Sequence, residues 1–86
     1  MKVWIAPPLR SYTNEAHFVE AKGGSLREVL DHLEKNYPGI RFRMIDEQDN
    51  IREHIHVFIG QSMARNIEEA VLEEQEVMIV VALSGG

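Results

Sequence analysis

Apolar and polar positions alternate with a period of two at the start of the chain. Val3 and Ile5 face one way and Lys2, Trp4 and Ala6 the other, which predicts a strand over residues 2–6. Pro7-Pro8 ends it, because proline cannot donate to a ladder. Ser11-Tyr12-Thr13-Asn14 has turn chemistry. Residues 17–22 predict a second short strand with Val19 and Ala21 on its inner face. The short link between the two strands favours an antiparallel hairpin.

The period then changes. Leu26, Val29, Leu30, Leu33 and Tyr37 form one stripe of a helix, and Arg27, Asp31, Glu34 and Lys35 cover the other side. Gly23-Gly24 breaks the chain before it. Ser25 and Glu28 have the spacing of a capping box, in which each side chain satisfies an orphan amide at the helix start. Asp31 and Lys35 are spaced for an i,i+4 ion pair. Pro38-Gly39 closes the helix. Residues 40–45 are too short a segment to assign, although Ile40 and Met44 fit a helical turn, and residues 46–50 form a polar turn.

Alternation returns over residues 54–59, with Ile55, Val57 and Ile59 on one face and His54, His56 and Phe58 on the other. Gly60 ends that strand. Residues 61–76 form a polar connector with Ile67, Val71 and Leu72 as anchors. The last strand is predicted over residues 76–83, with Val77, Ile79 and Val81 inside and Met78, Val80 and Ala82 outside. One helix cannot cover both faces of such a sheet, so the other face meets water or a partner. The apolar last strand fits a central position, parallel to the first. The predicted core is Val3, Ile5, Val19, Leu26, Val29, Leu30, Leu33, Ile55, Val57, Val77 and Ile79.

Composition narrows the chemistry. The chain has 86 residues, room for one domain, expected over residues 1–83 with 84–86 as a flexible tail ending in Gly-Gly. It has no cysteine, which excludes disulfides, thiolate zinc sites and cysteine nucleophiles. A formal charge of −5 argues against nucleic acid and predicts a protein partner with a basic surface. No apolar run approaches the ~20 residues that span a bilayer, and the start lacks a signal-peptide core, so a cytoplasmic protein without membrane contact is expected. His54 and His56 could pair on a metal, but further ligands are missing and surface histidines are the expectation, with no metal site. The acidic run Glu68, Glu69, Glu73, Glu74 and Glu76 reads as a solvated edge.

Two features point to function. Trp4, Phe18, Phe58, Met78 and Val80 all fall on the non-core face by strand parity, and a patch of that size marks an interface. The chain also ends in Gly85-Gly86 directly after an apolar strand. Fully extended, residues 83–86 reach roughly 13 Å, and glycines let such a tail thread a narrow channel toward a nucleotide.

In this order the chain resembles the MoaD/ThiS sulfur carriers, relatives of ubiquitin with the β-grasp fold. The markers are Pro8-Leu9-Arg10, the run from Gly24 to Leu30, and Tyr37-Pro38-Gly39-Ile40. His56-Val57-Phe58-Ile59-Gly60 matches the family's "NVFVNG" strand with histidine for asparagine, and Glu76 to Gly86 matches its "DEVxIxPAVAGG" ending. The turn before that ending, Glu74-Gln75-Glu76-Val77, lacks the family's glycine. The resemblance implies an α+β fold, a β-grasp with a mixed four- to five-stranded sheet and one main helix on one face.

It also implies a carrier, not an enzyme. A ubiquitin-activating-type adenylating enzyme uses ATP and magnesium to adenylate the Gly86 carboxylate. A persulfide donor then displaces AMP to give a thiocarboxylate. No cofactor is bound by this chain. Gly86, with Gly85, is the reactive site, and Trp4, Phe18, Phe58, Met78, Val80 and Arg10 form the partner-binding surface, Arg10 with a local structural role as its alternative. The length, the long helix and its Tyr-Pro-Gly ending look like the small subunit of molybdopterin synthase, so the sulfur is expected to go to molybdopterin. The Pro-x-Leu-Arg start also looks like carriers that serve a cysteine synthase. The acceptor is accordingly a molybdopterin synthase large subunit or a cysteine synthase, with thiamine biosynthesis as a further destination. A ubiquitin-like modifier joined to lysines, and a β-grasp interaction module with an inert tail, are the competing classes. A direct enzyme is disfavoured because no acid–base pair or nucleophile stands out.

Overall fold

In the computed structural model, which describes residues 1–82, the chain forms β1 (Lys2–Ile5), a 3-10 helix (Pro7–Thr13), β2 (Phe18–Glu20), α1 (Leu26–Asn36), α2 (Ile40–Met44), β3 (Ile55–Ile59), β4 (Ser62–Met63) and β5 (Val77–Val81). The strands make one sheet in the order β2-β1-β5-β3-β4. β5 runs parallel to β1 and antiparallel to β3, while β1–β2 and β3–β4 are antiparallel. This is a β-grasp: the helix layer crosses one face and the last strand enters the centre of the sheet. With both edges of β5 hydrogen-bonded, its apolar run exposes no unpaired edge.

The helix layer is fixed at α1. Ser25 caps it, its Oγ accepting the Glu28 amide N–H at 3.3 Å. Glu28 answers by accepting the Gly24 N–H at 2.7 Å, one residue earlier than in the usual capping box. Gly23 lies against this start so closely that a Cβ there would meet the Val29 nitrogen at 2.7 Å and the Glu28 Cβ at 2.8 Å. Every residue of the predicted core is buried, Leu26, Val29, Leu30 and Leu33 completely. Tyr37 packs on that core as a partly buried residue. Burial of this stripe is the main term holding helix to sheet, at about 1.5–3 kcal/mol per large side chain.

Several expectations are corrected. Within residues 40–45, Ile40–Met44 form helix α2, which buries Ile40 and Met44 beside α1, and Ile45 is extended. Ser11 to Thr13 belong to the 3-10 helix, which buries Leu9 and Thr13. The strands are shorter than the alternation predicts. Asp31 pairs with Arg41, whose Nε lies 3.0 Å from its Oδ1, instead of with Lys35. Tertiary contact with α2 offers it a fixed guanidinium, which the i,i+4 spacing could not foresee. Leu72 is 55% exposed and anchors nothing. The Val71 N–H bonds to the Gly24 carbonyl, which fixes Val71 inward, and the Leu72 N–H turns to the Gln75 side chain. Val81 is half-buried at the rim, because β5 is leaving the helix layer there. Leu83 and the tail lie outside the described residues.

Candidate docking face and tail root

Strand parity puts alternate residues of each strand on the face away from α1, and pairing register decides which of them meet. Trp4 is opposite Phe18 on one side and opposite Met78 on the other. Met78 is opposite Phe58, and Phe58 is opposite Met63. Phe18, Trp4, Met78, Phe58 and Met63 therefore form one continuous row, one residue from each strand, straight across the sheet. At about 4.8 Å between strands the row is roughly 19 Å long. Trp4 and Phe58 are half-buried by their neighbours, while Phe18, Met63 and Met78 are 43%, 51% and 40% exposed.

The expected surface residues are thus brought together. Val80 stands in the next rung, half-buried and opposite His56. Arg10 reaches the same face from the 3-10 helix. Its Nε–H donates to the Ile5 carbonyl at 2.9 Å and its guanidinium lies 5.4 Å from the Trp4 ring centre. That is the local structural role, and it also sets a cation beside the row. Met63 was missed by the periodicity. Its strand has only two residues, and the signal was Gly60-Gln61 after an apolar strand, a two-residue hairpin turn with Gly60 at φ +61°.

β5 crosses this row and runs on, in chain order, toward the C-terminal residues. Ala82, the last described residue, follows β5 and donates its N–H to the His54 carbonyl at 2.8 Å. This bond extends the β3–β5 pairing beyond Ile55 and Val81. Gly85 and Gly86 lie outside the described residues.

A separate set of charged residues forms an ion network. Arg27 donates to Glu68 at 2.6 Å and to Asp49 at 3.2 Å, and Arg41 reaches both Asp31 and Asp49. The Glu68 bond first, then Asp49, holds the Arg27 guanidinium above its ordinary range. The Arg27 bond holds the Asp49 carboxyl below the usual carboxylate range, with Arg41 adding to it. Arg27 and Asp31 belong to α1 and Arg41 to α2, while Asp49 and Glu68 come from the connecting loops, so the network is tied to the helix layer. Within the acidic run, Glu69 accepts the Arg65 and Asn66 amides, so that edge is partly a loop cap. Among the described residues no group of three or more His, Asp or Glu side chains is placed to hold a metal ion. No described helix is long and apolar enough to cross a membrane.

Comparison with known proteins gives four findings. Residues 3–86 match the ThiS family. Sulfur carrier protein CysO of Mycobacterium tuberculosis is 29% identical over 93 aligned positions covering all of both chains. CysO of Amycolatopsis orientalis, in its crystal complex with BexX, superposes with a TM-score of 0.92 at 30% identity, covering 99% of this chain and 98% of that one. Small archaeal modifier protein 1 of Methanosarcina acetivorans shares the fold, with a TM-score of 0.81 at 21% identity over 99% and 94% of the two chains.

Proposed function

The chain belongs to the ThiS family of ubiquitin-like sulfur carriers, and from that premise we propose that Gly86 carries the sulfur as a C-terminal thiocarboxylate. One observation supports the reading: central strand β5, the last element before the C-terminal residues, is hydrogen-bonded on both sides and crosses a five-residue apolar row. Such a row seats a partner, and the fixed strand aims the tail at that partner's reaction site.

The chemistry asks nothing of this chain's side chains. The Gly86 carboxylate attacks the α-phosphate of ATP in a ubiquitin-activating-type enzyme, and pyrophosphate leaves. The acyl-adenylate is then attacked by the terminal sulfur of a protein persulfide, and AMP leaves. A thiol cleaves the sulfur–sulfur bond, which forms a disulfide on the donor and frees the thiocarboxylate. The chain is substrate and carrier throughout.

For the acceptor, we propose a cysteine synthase ahead of a molybdopterin synthase large subunit. The support is the full-length likeness to sulfur carriers named CysO, together with the Pro-x-Leu-Arg start. The test has two stages. Incubation with the activating enzyme, ATP, magnesium and a sulfur source is followed by intact mass, which should rise by the difference between sulfur and oxygen. A chain lacking Gly86 should show no rise, and an equal rise there would overturn the proposal. The loaded protein is then offered to a cysteine synthase and to a molybdopterin synthase large subunit in parallel. Faster discharge by the second would reverse the choice of acceptor.

A further inference from the structure

The apolar row has a near-symmetry with a functional consequence. A half-turn about the sheet normal through Met78 carries Trp4 onto Phe58 and Phe18 onto Met63, aromatic onto aromatic and apolar onto apolar. An apolar strip that seats the row one way round seats it nearly as well reversed. β5 crosses the row along the strand direction, so the reversed seating points the chain end the opposite way. Apolar contact, being non-directional, does not choose between the two.

The charges on either flank do. On the flank where β5 begins, Lys2 stands in register with Glu20. Glu76 is level with them, since its neighbour Val77 is opposite Val3. That flank carries two acids and two bases: Glu20 is held by the N-terminal ammonium at 3.6 Å and Lys2 lies over the Phe18 ring at 4.4 Å, which leaves Glu76, without an ion pair among the described residues, as its uncompensated acid. On the flank where β5 ends stands Arg10, tied to the Ile5 carbonyl, with the His56 imidazole beyond it opposite Val80. Among the described residues Arg10 makes no ion pair. The two flanks are two residues either side of the row, about 13 Å apart along the strands.

We infer that this polarity fixes which way round the face docks, with Arg10 as the main determinant, and that the partner presents a carboxylate beside the tail's entry. The inference rests on the proposed activation of Gly86. The net charge of −5 predicts a basic partner surface, but the flank next to the chain end is locally cationic, and local charge decides complementarity. In the reversed seating Arg10 meets the partner's basic end and Glu76 its acidic one, so attraction becomes repulsion on both flanks.

The experiment uses the full chain and the activating enzyme from the same genome. Affinity is measured by calorimetric titration and adenylation by ATP–pyrophosphate exchange at saturating carrier. Arg10→Glu should lower kcat for exchange by about tenfold while Kd changes by less than about threefold, because the reversed complex still buries the row. Arg10→Lys keeps the charge and should recover most of the loss. Arg10 also braces β1, so Glu76→Lys serves as a variant outside that brace and should give the same lowered kcat with a similar Kd. A raised KM with unchanged kcat in both charge reversals would make them ordinary rim charges and overturn the inference, as would no effect at all. Absence of exchange with the unaltered chain would instead sink the proposed activation, and this inference with it.

Discussion

Trp4 and Met78 stand directly opposite each other across the parallel β1–β5 pair, and Met78 is at the same time opposite Phe58 on β3. Met78 thus stands in register between two aromatic residues of neighbouring strands. The arrangement ties the centre of the apolar row to the last strand of the chain. Shifting β5 by one residue would turn Met78 inward and Ile79 out, breaking the row and the core together.

The core beneath that face is expected to be sensitive at α1. Leu30 is fully buried among α1, α2 and the sheet. Leu30→Ala should cost about 2–5 kcal/mol, the lost transfer energy plus the cavity left behind. Urea unfolding with an unchanged slope measures this. A cost near ~0.5 kcal/mol would mean that the stripe is not a packing surface.

Gly23 gives a second, backbone test. A methyl group there would press on backbone and Cβ atoms at the start of α1, neither of which can rotate away. Gly23→Ala should therefore destabilise by about 1–3 kcal/mol, while Gly24→Ala, where the nearest atom is the Glu28 carboxylate at 3.4 Å, should cost much less. Thermal midpoints of the two variants, measured side by side, check the contrast. Equal losses would point to glycine entropy instead of contact.

The elements legible in the sequence were those with a sustained period. The Leu26–Leu33 stripe, the alternation at Ile55–Ile59 and the capping pair Ser25 and Glu28 all lie where predicted, as does the central, parallel last strand. The non-core face was legible too, because parity alone separates Trp4, Phe58 and Met78 from Val3, Val57 and Ile79. What alternation could not supply was register, so the alignment of those residues into one row, and Met63 at its end, came only with strand pairing. Short elements were also hidden. Five residues of α2 do not establish a helical period, and Arg41, which takes Asp31 from Lys35, belongs to that helix.

Acid should loosen the helix layer through Asp49. Its folded-state pKa lies below the ordinary value because Arg27, and then Arg41, donate to it. A carboxyl lowered in this way contributes stability that is fully present above the unfolded pKa of about 3.9 and is lost as pH falls through the folded value. Asp49→Asn should be less stable than the unaltered chain at pH 7, and the difference should vanish at the acid end. The site is exposed, so added salt should also shrink it. A difference that grows on acidification would exclude the ion network as its source.

The row itself is tested by a charge placed within it. Phe58 is half-buried between Met78 and Met63 and faces away from the core. Phe58→Asp should keep cooperative unfolding, with a loss of about 1–2 kcal/mol from the cross-strand pairs. Against the activating enzyme it should weaken binding by about 30-fold or more, because the carboxylate would be desolvated in an apolar strip, an effect of hot-spot size. Met63→Asp, at the exposed end of the same row, should leave stability nearly unchanged and weaken binding less, as rim positions do. A melting curve and a binding titration for each variant decide the matter. Loss of folding in the Phe58 variant would contradict its outward register. Intact folding with unchanged affinity in both would mean that another surface seats the partner, and that the row is covered by something else.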